Sequence, residues 1–328
     1  MSNVLLLNRK QVETVLDMKD TIKAMKTAFS QLSDGAAVLP QRIVISSKKG
    51  LSLYMPAYLP QSQSLAVKVV TVFKDNPKSY NLPTTLGKVM LQDIETGDVV
   101  CIMDGGYLTA MRTGAVSGCA IEYLAKEKAE TVGLFGTGVQ GMTQLWATCV
   151  ARPSITNGKV FDVRREVAED FAQKMTEKLK IPIEVATSVE ETVKSSEIIL
   201  TATTSALPIF HGKWIRPGTH ISGIGSHSPG TRELDGETIL RSKVVCDQVS
   251  ACLTEAGDII IPITEGIITK EHIYGEIGEI ITGKKAGREN DQEVTLFKSV
   301  GLAVQDAATA KLVYDKAISE NIGTFVEI

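Results

Sequence analysis

Hydrophobic positions along this chain of 328 residues change their period twice. From Asn8 to Leu32, Val12, Val15, Leu16, Ile22, Met25, Ala28, Phe29 and Leu32 recur at helical spacing, which predicts one or two amphipathic helices ending at Asp34-Gly35. The pattern then shortens to β-branched runs broken by Gly and Pro: Arg42-Ile43-Val44-Ile45, Leu51 to Met55 and Leu65 to Val72. Val89 to Asp93 and Val99 to Met103 flank Glu95-Thr96-Gly97-Asp98, a good hairpin turn, so a mostly antiparallel sheet is expected. Tyr107 to Lys126 reads as one long helix bridging two domains. Its small residues Ala110, Gly114, Ala115, Ser117, Gly118 and Ala120 would let another backbone approach closely.

From Val132 onward the period alternates. Strands are expected at Val132–Phe135, Lys159–Asp162, Ile183–Ala186, Ile198–Ala202, His220–Ile224 and Val244–Asp247, with helices from Val139, from Arg165 to Leu179 and near Val189–Lys194. That alternation implies a parallel, doubly wound sheet. Gly278 to Gly283 closes a helix, Lys284 to Asp291 is a charged loop, Val294–Val300 forms a last strand, and Leu302 to Ile318 has helical period.

The first of these strands ends in E-T-V-G-L-F-G-T-G-V-Q-G, residues 130–141, a G-x-G-x-x-G on Gly136, Gly138 and Gly141. The first glycine permits a sharp turn, the second lets a pyrophosphate approach the backbone, and the third lets helix and strand pack closely. The anion would rest on free N–H groups and the positive end of the helix dipole. Asp162 ends the next strand, where a carboxylate would accept hydrogen bonds from an adenosine ribose and repel a 2′-phosphate. Arg164 and Arg165 follow and could bind that phosphate. The expected cofactor is NAD or NADP, with NAD favoured by Asp162.

Composition narrows the remaining classes. An apolar content of 43% suits a globular protein. A formal charge of −3, without Lys or Arg runs, gives no field for nucleic acid, so none is expected as a partner. No apolar run is long enough to span a bilayer, and Met1 to Arg9 does not read as a signal peptide, so no membrane association is expected. Five scattered cysteines without a C-x-x-C suggest reduced thiols in a cytoplasmic protein. The four histidines lie too far apart for a local ligand motif. His272 with Glu276 is expected to be an exposed helix pair, and Ser222, Ser226 and Ser228 occupy no nucleophile elbow. Neither a metal nor a covalent nucleophile is expected.

Several stretches together resemble the ornithine cyclodeaminase/mu-crystallin family. They are Val67-Lys68-Val69-Val70, Leu82-Pro83-Thr84, Asp93 with Thr96-Gly97, and Leu108 to Ala115 (L-T-A-M-R-T-G-A). The glycine turn, Pro229-Gly230-Thr231-Arg232-Glu233-Leu234, Glu255-Ala256-Gly257-Asp258 and Thr295 to Gly301 (T-L-F-K-S-V-G) follow in the family's order. The resemblance implies an α/β fold: a Rossmann doubly wound parallel sheet, residues 128–302, inserted in an α+β substrate and dimerisation domain, residues 1–127 plus 303–328. It also implies a homodimer. The family's substrate-carboxylate anchors fall on Arg42, Lys68 and Arg112, where a planar Arg fork suits the group. Cofactor contacts are expected from Arg112, Thr113, Gly136, Gly138, Val139, Gln140, Gly141, Asp162, Val163, Arg164, Thr203, Val300 and Gly301.

One departure is informative. Within Gly225-Ser226-His227-Ser228-Pro229-Gly230, His227 stands where ornithine cyclodeaminases and related archaeal alanine dehydrogenases look as if they carry aspartate. Imidazole is a poor host for a second ammonium but a good proton donor near neutral pH. The expected activity is therefore NAD(P)H-dependent reduction of small α-imino acids. The substrate is cyclic, such as Δ1-pyrroline-2-carboxylate, or formed from a keto acid and ammonia as in alanine dehydrogenase, with Lys68 or His227 as proton donor. The alternatives are ornithine cyclodeamination and a mu-crystallin-like protein that holds NADPH and a small ligand. Loops around Tyr54–Pro60 and Asp75–Leu82 are expected to line the pocket wall.

Overall fold

The computed structural model describes residues 3–328, and short-range chemistry sets its first elements. Asn8 follows β1 (Asn3–Leu7) and caps α1 (Arg9–Val15): its side chain accepts from the Gln11 N–H at 3.1 Å, and the Gln11 side chain accepts from the Asn8 N–H at 2.8 Å. Asp17 caps α2 (Met18–Ser33) by accepting from the Asp20 N–H at 2.9 Å. The chain leaves that helix at Gly35, whose φ of +70° a side chain would oppose. Next come β2 (Ile43–Ser46), β3 (Leu51–Leu59), β4 (Ser64–Val72), α3 (Asn76–Ser79), β5 (Thr85–Gln92), β6 (Val99–Asp104) and α4 (Gly105–Leu124).

Strands and helices then alternate as far as β10: β7 (Thr131–Phe135), α5 (Val139–Ala151), β8 (Asn157–Phe161), α6 (Arg165–Leu179), β9 (Ile183–Val185), α7 (Val189–Ser195) and β10 (Ile198–Thr201), after which β11 (His220–Gly223) follows with only a 3₁₀ turn between. They continue as α8 (Gly236–Leu240), β12 (Lys243–Cys246), α9 (Val249–Glu255), α10 (Gly257–Thr264), β13 (Ile273–Glu276), α11 (Ile277–Ile281) and β14 (Thr295–Lys298). The chain closes with α12 (Ala303–Ser319) and β15 (Thr324–Glu327).

These elements form two compact units. One runs to Arg112 and resumes over Leu302–Ile328; the other is Thr113–Gly301. The division falls inside α4, so one unbroken helix contributes to both. In the first unit seven strands lie in the order β15-β1-β6-β5-β4-β3-β2, antiparallel except where β1 runs parallel to β6. Helices α2 and α12 pack together, and α12 lies on β3 and β4. Lys316 on α12 pairs with Asp17 and Asp20 at the start of α2, tying the chain end to its beginning.

The second unit holds an eight-stranded parallel sheet in the order β13-β12-β14-β11-β10-β7-β8-β9. Every residue of β10, β11 and β14 is buried, the pattern of strands covered on both faces. Within this unit Gly114 on α4 meets α5 so closely that a Cβ would stand 2.5 Å from the Thr143 carbonyl oxygen. The Gln144 side chain donates to the Thr113 carbonyl at 2.9 Å nearby.

Several elements differ from the sequence reading. β1 and β15 pair with each other, and neither has a clean two-residue alternation: β15 is exposed throughout, and β1 buries the consecutive pair Val4 and Leu5. Tyr54 to Leu59 belongs to a strand, not a loop, and α3 occupies part of residues 75–82. His272 ends a short 3₁₀ turn, accepted by the Ile239 carbonyl at 2.8 Å, and Glu276 ends β13; they are not an exposed helix pair.

Candidate functional site

The second unit's turn between β7 and α5 opens a cleft of about 690 Å³. Gly136, Gly138, Asp162, Val163, Arg164 and Thr203 all line it. Each motif glycine meets a different constraint. Gly136 has φ +93°, and Gly141 is packed so that a Cβ would lie 2.1 Å from the Gly136 carbonyl oxygen. A Cβ on Gly138, by contrast, would meet nothing within 4 Å, so the space beside that backbone is open to a ligand. Gly138 begins α5 without a side-chain cap, leaving first-turn N–H groups for an anion. These features fit a dinucleotide pyrophosphate.

Asp162 is more occupied than expected. Its Oδ2 accepts from the Thr137 N–H at 3.1 Å and the Thr137 hydroxyl at 2.9 Å, and its Oδ1 accepts from the Arg164 N–H at 3.0 Å. Burial raises its pKa, but these bonds and the Arg164 charge outweigh that and hold the carboxyl below its ordinary value. It therefore stays anionic, with lone pairs left over for a ribose. Val139, Gln140 and Gly141 form the first turn of α5 and are not among the residues lining the cleft. Nor are Thr113, Val300 and Gly301. The N–H groups of Val300 and Gly301 both donate to Asp247 Oδ2, at 2.9 and 2.8 Å, and the Ser299 hydroxyl does so at 2.7 Å.

The first unit gathers charge in its interior. Lys68, in the middle of β4, is 2% exposed, and its Nζ lies 2.7 Å from Asp306 Oδ2 on α12. Arg112, 6% exposed, donates from Nε to Asp306 Oδ1 at 3.1 Å and from Nη1 to Gln305 Oε1 at 2.9 Å. Two cations share one carboxylate. Burial is the main reason that the Lys68 pKa falls to about 8; Asp306 opposes the fall, and Arg112 and Arg42 add to it. That amine can exchange its proton near neutral pH. Arg42 is half-buried just before β2.

His227 lies exposed on the segment after β11, its Nδ1 2.9 Å from the Gly225 carbonyl oxygen, and is not among the residues lining the cleft. Its neighbour in chemistry, His220, is different: wholly buried between the Thr295 and Ser222 hydroxyls, its pKa is pushed well below the ordinary value by burial. It is a neutral structural imidazole. Burial also pushes the Cys101 and Cys149 thiols up to about 12, so neither offers a thiolate. Among the described residues no cluster of His, Cys, Asp and Glu could hold a metal ion, and no helix is long and apolar enough to cross a membrane.

Asp306 and Gln305 did not emerge from the sequence as site residues. The signal available was weak: an acid within a helix whose neighbours Val304, Ala307 and Ala308 are all buried, hence an acid needing a partner. Asp247, just after the apolar run of β12, carried no such signal.

The family model described as "Ornithine cyclodeaminase/mu-crystallin family" matches residues 2–321. The structure of Δ1-pyrroline-2-carboxylate reductase from Thermococcus litoralis, in complex with NADH and L-proline, is 46% identical with a TM-score of 0.94, covering 98% of this chain and 100% of that one. An archaeal alanine dehydrogenase dimer with bound NAD is 34% identical with a TM-score of 0.93, covering all of both chains. A Δ1-pyrroline-2-carboxylate reductase of Bacillus thuringiensis subsp. konkukian is 36% identical over 99% of this chain and 100% of its own.

Proposed function

This chain belongs to the ornithine cyclodeaminase/mu-crystallin family, and from that premise we propose that it is an NAD(P)H-dependent reductase of small α-imino acids, with Δ1-pyrroline-2-carboxylate as first substrate. The observation that carries the reading is the buried charge imbalance around Asp306. Protonated Lys68 and Arg112 exceed their single acid by one positive charge, and a substrate carboxylate supplies the missing anion. Arg112 spends two of its N–H groups on Asp306 and Gln305, leaving part of its fork for that carboxylate, with Arg42 as a second anchor. The similar reductase holding NADH and L-proline supports the same substrate and product pair.

Reduced nicotinamide, when bound, would supply a hydride to C2 of the imine, with the C=N π pair going to nitrogen and a proton there completing L-proline. Lys68 Nζ, able to hold or release a proton near pH 8, is the leading donor to that nitrogen, with His227 as the other candidate. Gly136, Gly138 and the first turn of α5 would hold the pyrophosphate, with Val139, Gln140 and Gly141 supplying backbone. Asp162 would take the ribose, which favours NADH over NADPH. Thr113, Val163, Arg164, Thr203, Val300 and Gly301 complete the proposed cofactor contacts.

Pyruvate plus ammonia is the alternative substrate, since the similar archaeal dimer is an alanine dehydrogenase. The same likeness, with exposed Ile43, Val44 and Ile45 on the edge strand β2, supports a homodimer, which light scattering would test. The five cysteines, none of them in a disulfide, suit a cytoplasmic protein. The deciding assay follows loss of reduced-nicotinamide absorbance with Δ1-pyrroline-2-carboxylate, with NADH and NADPH in parallel and pyruvate plus ammonia as comparison. No loss in any combination sinks the reading. Given activity, Lys68→Ala should lower kcat by about 10²–10⁴-fold; normal turnover in a folded variant would falsify its assigned role.

A further inference from the structure

We propose that Glu233 is a positioning residue, a buried carboxylate that locks the cofactor-cleft residue Thr203 and the segment carrying His227 into one frame. It rests on reading the cleft as the nicotinamide cofactor's site. Glu233 has no exposed surface, and its two oxygens divide four donors between two strand ends. Oε1 accepts from the Thr203 N–H and the Thr203 hydroxyl, both at 2.7 Å. Oε2 accepts from the Thr201 hydroxyl at 2.8 Å and the Gly225 N–H at 2.7 Å. Thr201 and Thr203 end and follow β10; Gly225 follows β11 and, through its carbonyl, holds His227 Nδ1 at 2.9 Å. One carboxylate therefore bridges the wall of the cleft and the loop of a proposed proton donor.

The surroundings are built for that carboxylate. Position 225 must lack a side chain, because a Cβ there would stand 2.4 Å from the Thr203 carbonyl oxygen and 2.5 Å from the Glu233 carboxyl. The Glu233 backbone is fixed in turn: Asp258 Oδ1 accepts its N–H at 2.7 Å and that of Leu234 at 3.0 Å, while Asp258 Oδ2 lies 2.8 Å from Lys298 Nζ. Asp258 and Lys298 have no exposed surface either. The Thr203 hydroxyl donates to Glu233 and accepts from the Ser205 N–H at 3.0 Å, so its bonding is spent on the protein and its placement depends on Glu233.

A glutamine at 233 cannot reproduce this frame. Each carboxylate oxygen faces a backbone N–H, so in either orientation the amide NH₂ meets one of them, and Thr203 or Gly225 must move. Thr201 supplies a control: its hydroxyl bonds the same carboxylate but its own residue does not line the cleft.

The test compares Glu233→Gln, Thr203→Val and Thr201→Val in the full chain by thermal melting, NADH fluorescence titration and steady-state kinetics with Δ1-pyrroline-2-carboxylate. Positioning predicts that Glu233→Gln lowers kcat by about 10–100-fold, as small misplacements do. Thr203→Val should weaken NADH binding several-fold, and Thr201→Val should melt earlier with kcat and NADH affinity within about twofold of wild type. Where Glu233→Gln does not fold, the contrast between the two threonine variants decides alone. The proposal is overturned if Glu233→Gln folds with wild-type kinetics, or if the two threonine variants change stability and kinetics alike. Wild-type protein that binds no NADH would instead overturn the reading of the cleft.

Discussion

Replacing Asp306 by asparagine removes the single negative charge between Lys68 and Arg112, at 2.7 and 3.1 Å, in a place where Asp306 itself is 1% exposed. Stripping one partner from a buried ion pair costs about 3–5 kcal/mol. The effect on Lys68 has a definite sign. Its folded value of about 8 lies below the ordinary 10.5, so as pH falls the unfolded chain takes up the proton first. Stability linked to the neutral amine is complete above 10.5, declines by roughly 3 kcal/mol between there and about 8, and then stays level. Without Asp306 the attraction that holds the proton on Lys68 is lost, and the decline continues to lower pH. Asp306→Asn should therefore be closest to wild type at alkaline pH and fall further behind as the pH drops toward 6, by urea denaturation. In the reductive direction, kcat/KM of the wild type should fall above about pH 8, where Lys68 loses its proton. In the variant that limb should move down by about one unit or more. A folded variant whose limb and pH–stability profile coincide with wild type would refute the assignment of Asp306 as the partner that sets Lys68.

Three further outcomes are expected. Gly141→Ala, whose Cβ would lie 2.1 Å from the Gly136 carbonyl oxygen, should melt much earlier than wild type, whereas Gly138→Ala, with nothing within 4 Å, should melt normally yet titrate NADH weakly; equal melting losses would contradict this division of labour. Asp162→Ser should shift the NADH to NADPH ratio of kcat/KM by about tenfold or more, about 1.4 kcal/mol, and an unchanged ratio would show that Asp162 does not read the ribose. Lys298→Met leaves Asp258 buried without its cation and should cost about 3–5 kcal/mol in denaturant unfolding; a loss below about 1 kcal/mol would mean the pair is stabilised by other means.

The sequence alone determined what repeats locally. The glycine turn, the alternation of β7 through β10 with helices, and the acid just after β8 all follow from period and from backbone requirements confined to a few neighbouring residues. Val12, Ile22, Met25 and Phe29 announced the buried faces of α1 and α2 in the same way. Lys68 and Arg112 were singled out through the family resemblance, and a cation inside an apolar strand or a small-residue helix demands a partner. Only the tertiary structure decided who that partner is. Asp306 lies 238 positions beyond Lys68 by their numbering, brought there because α12 returns across β4, and no local period encodes that return. Glu233 is the same case: one of the acids near the end of the connection from β11 to α8, it becomes a four-donor bridge only when β10 and β11 end side by side. Periodicity reports which face a residue turns inward, whereas the identity of what it meets there depends on long-range packing.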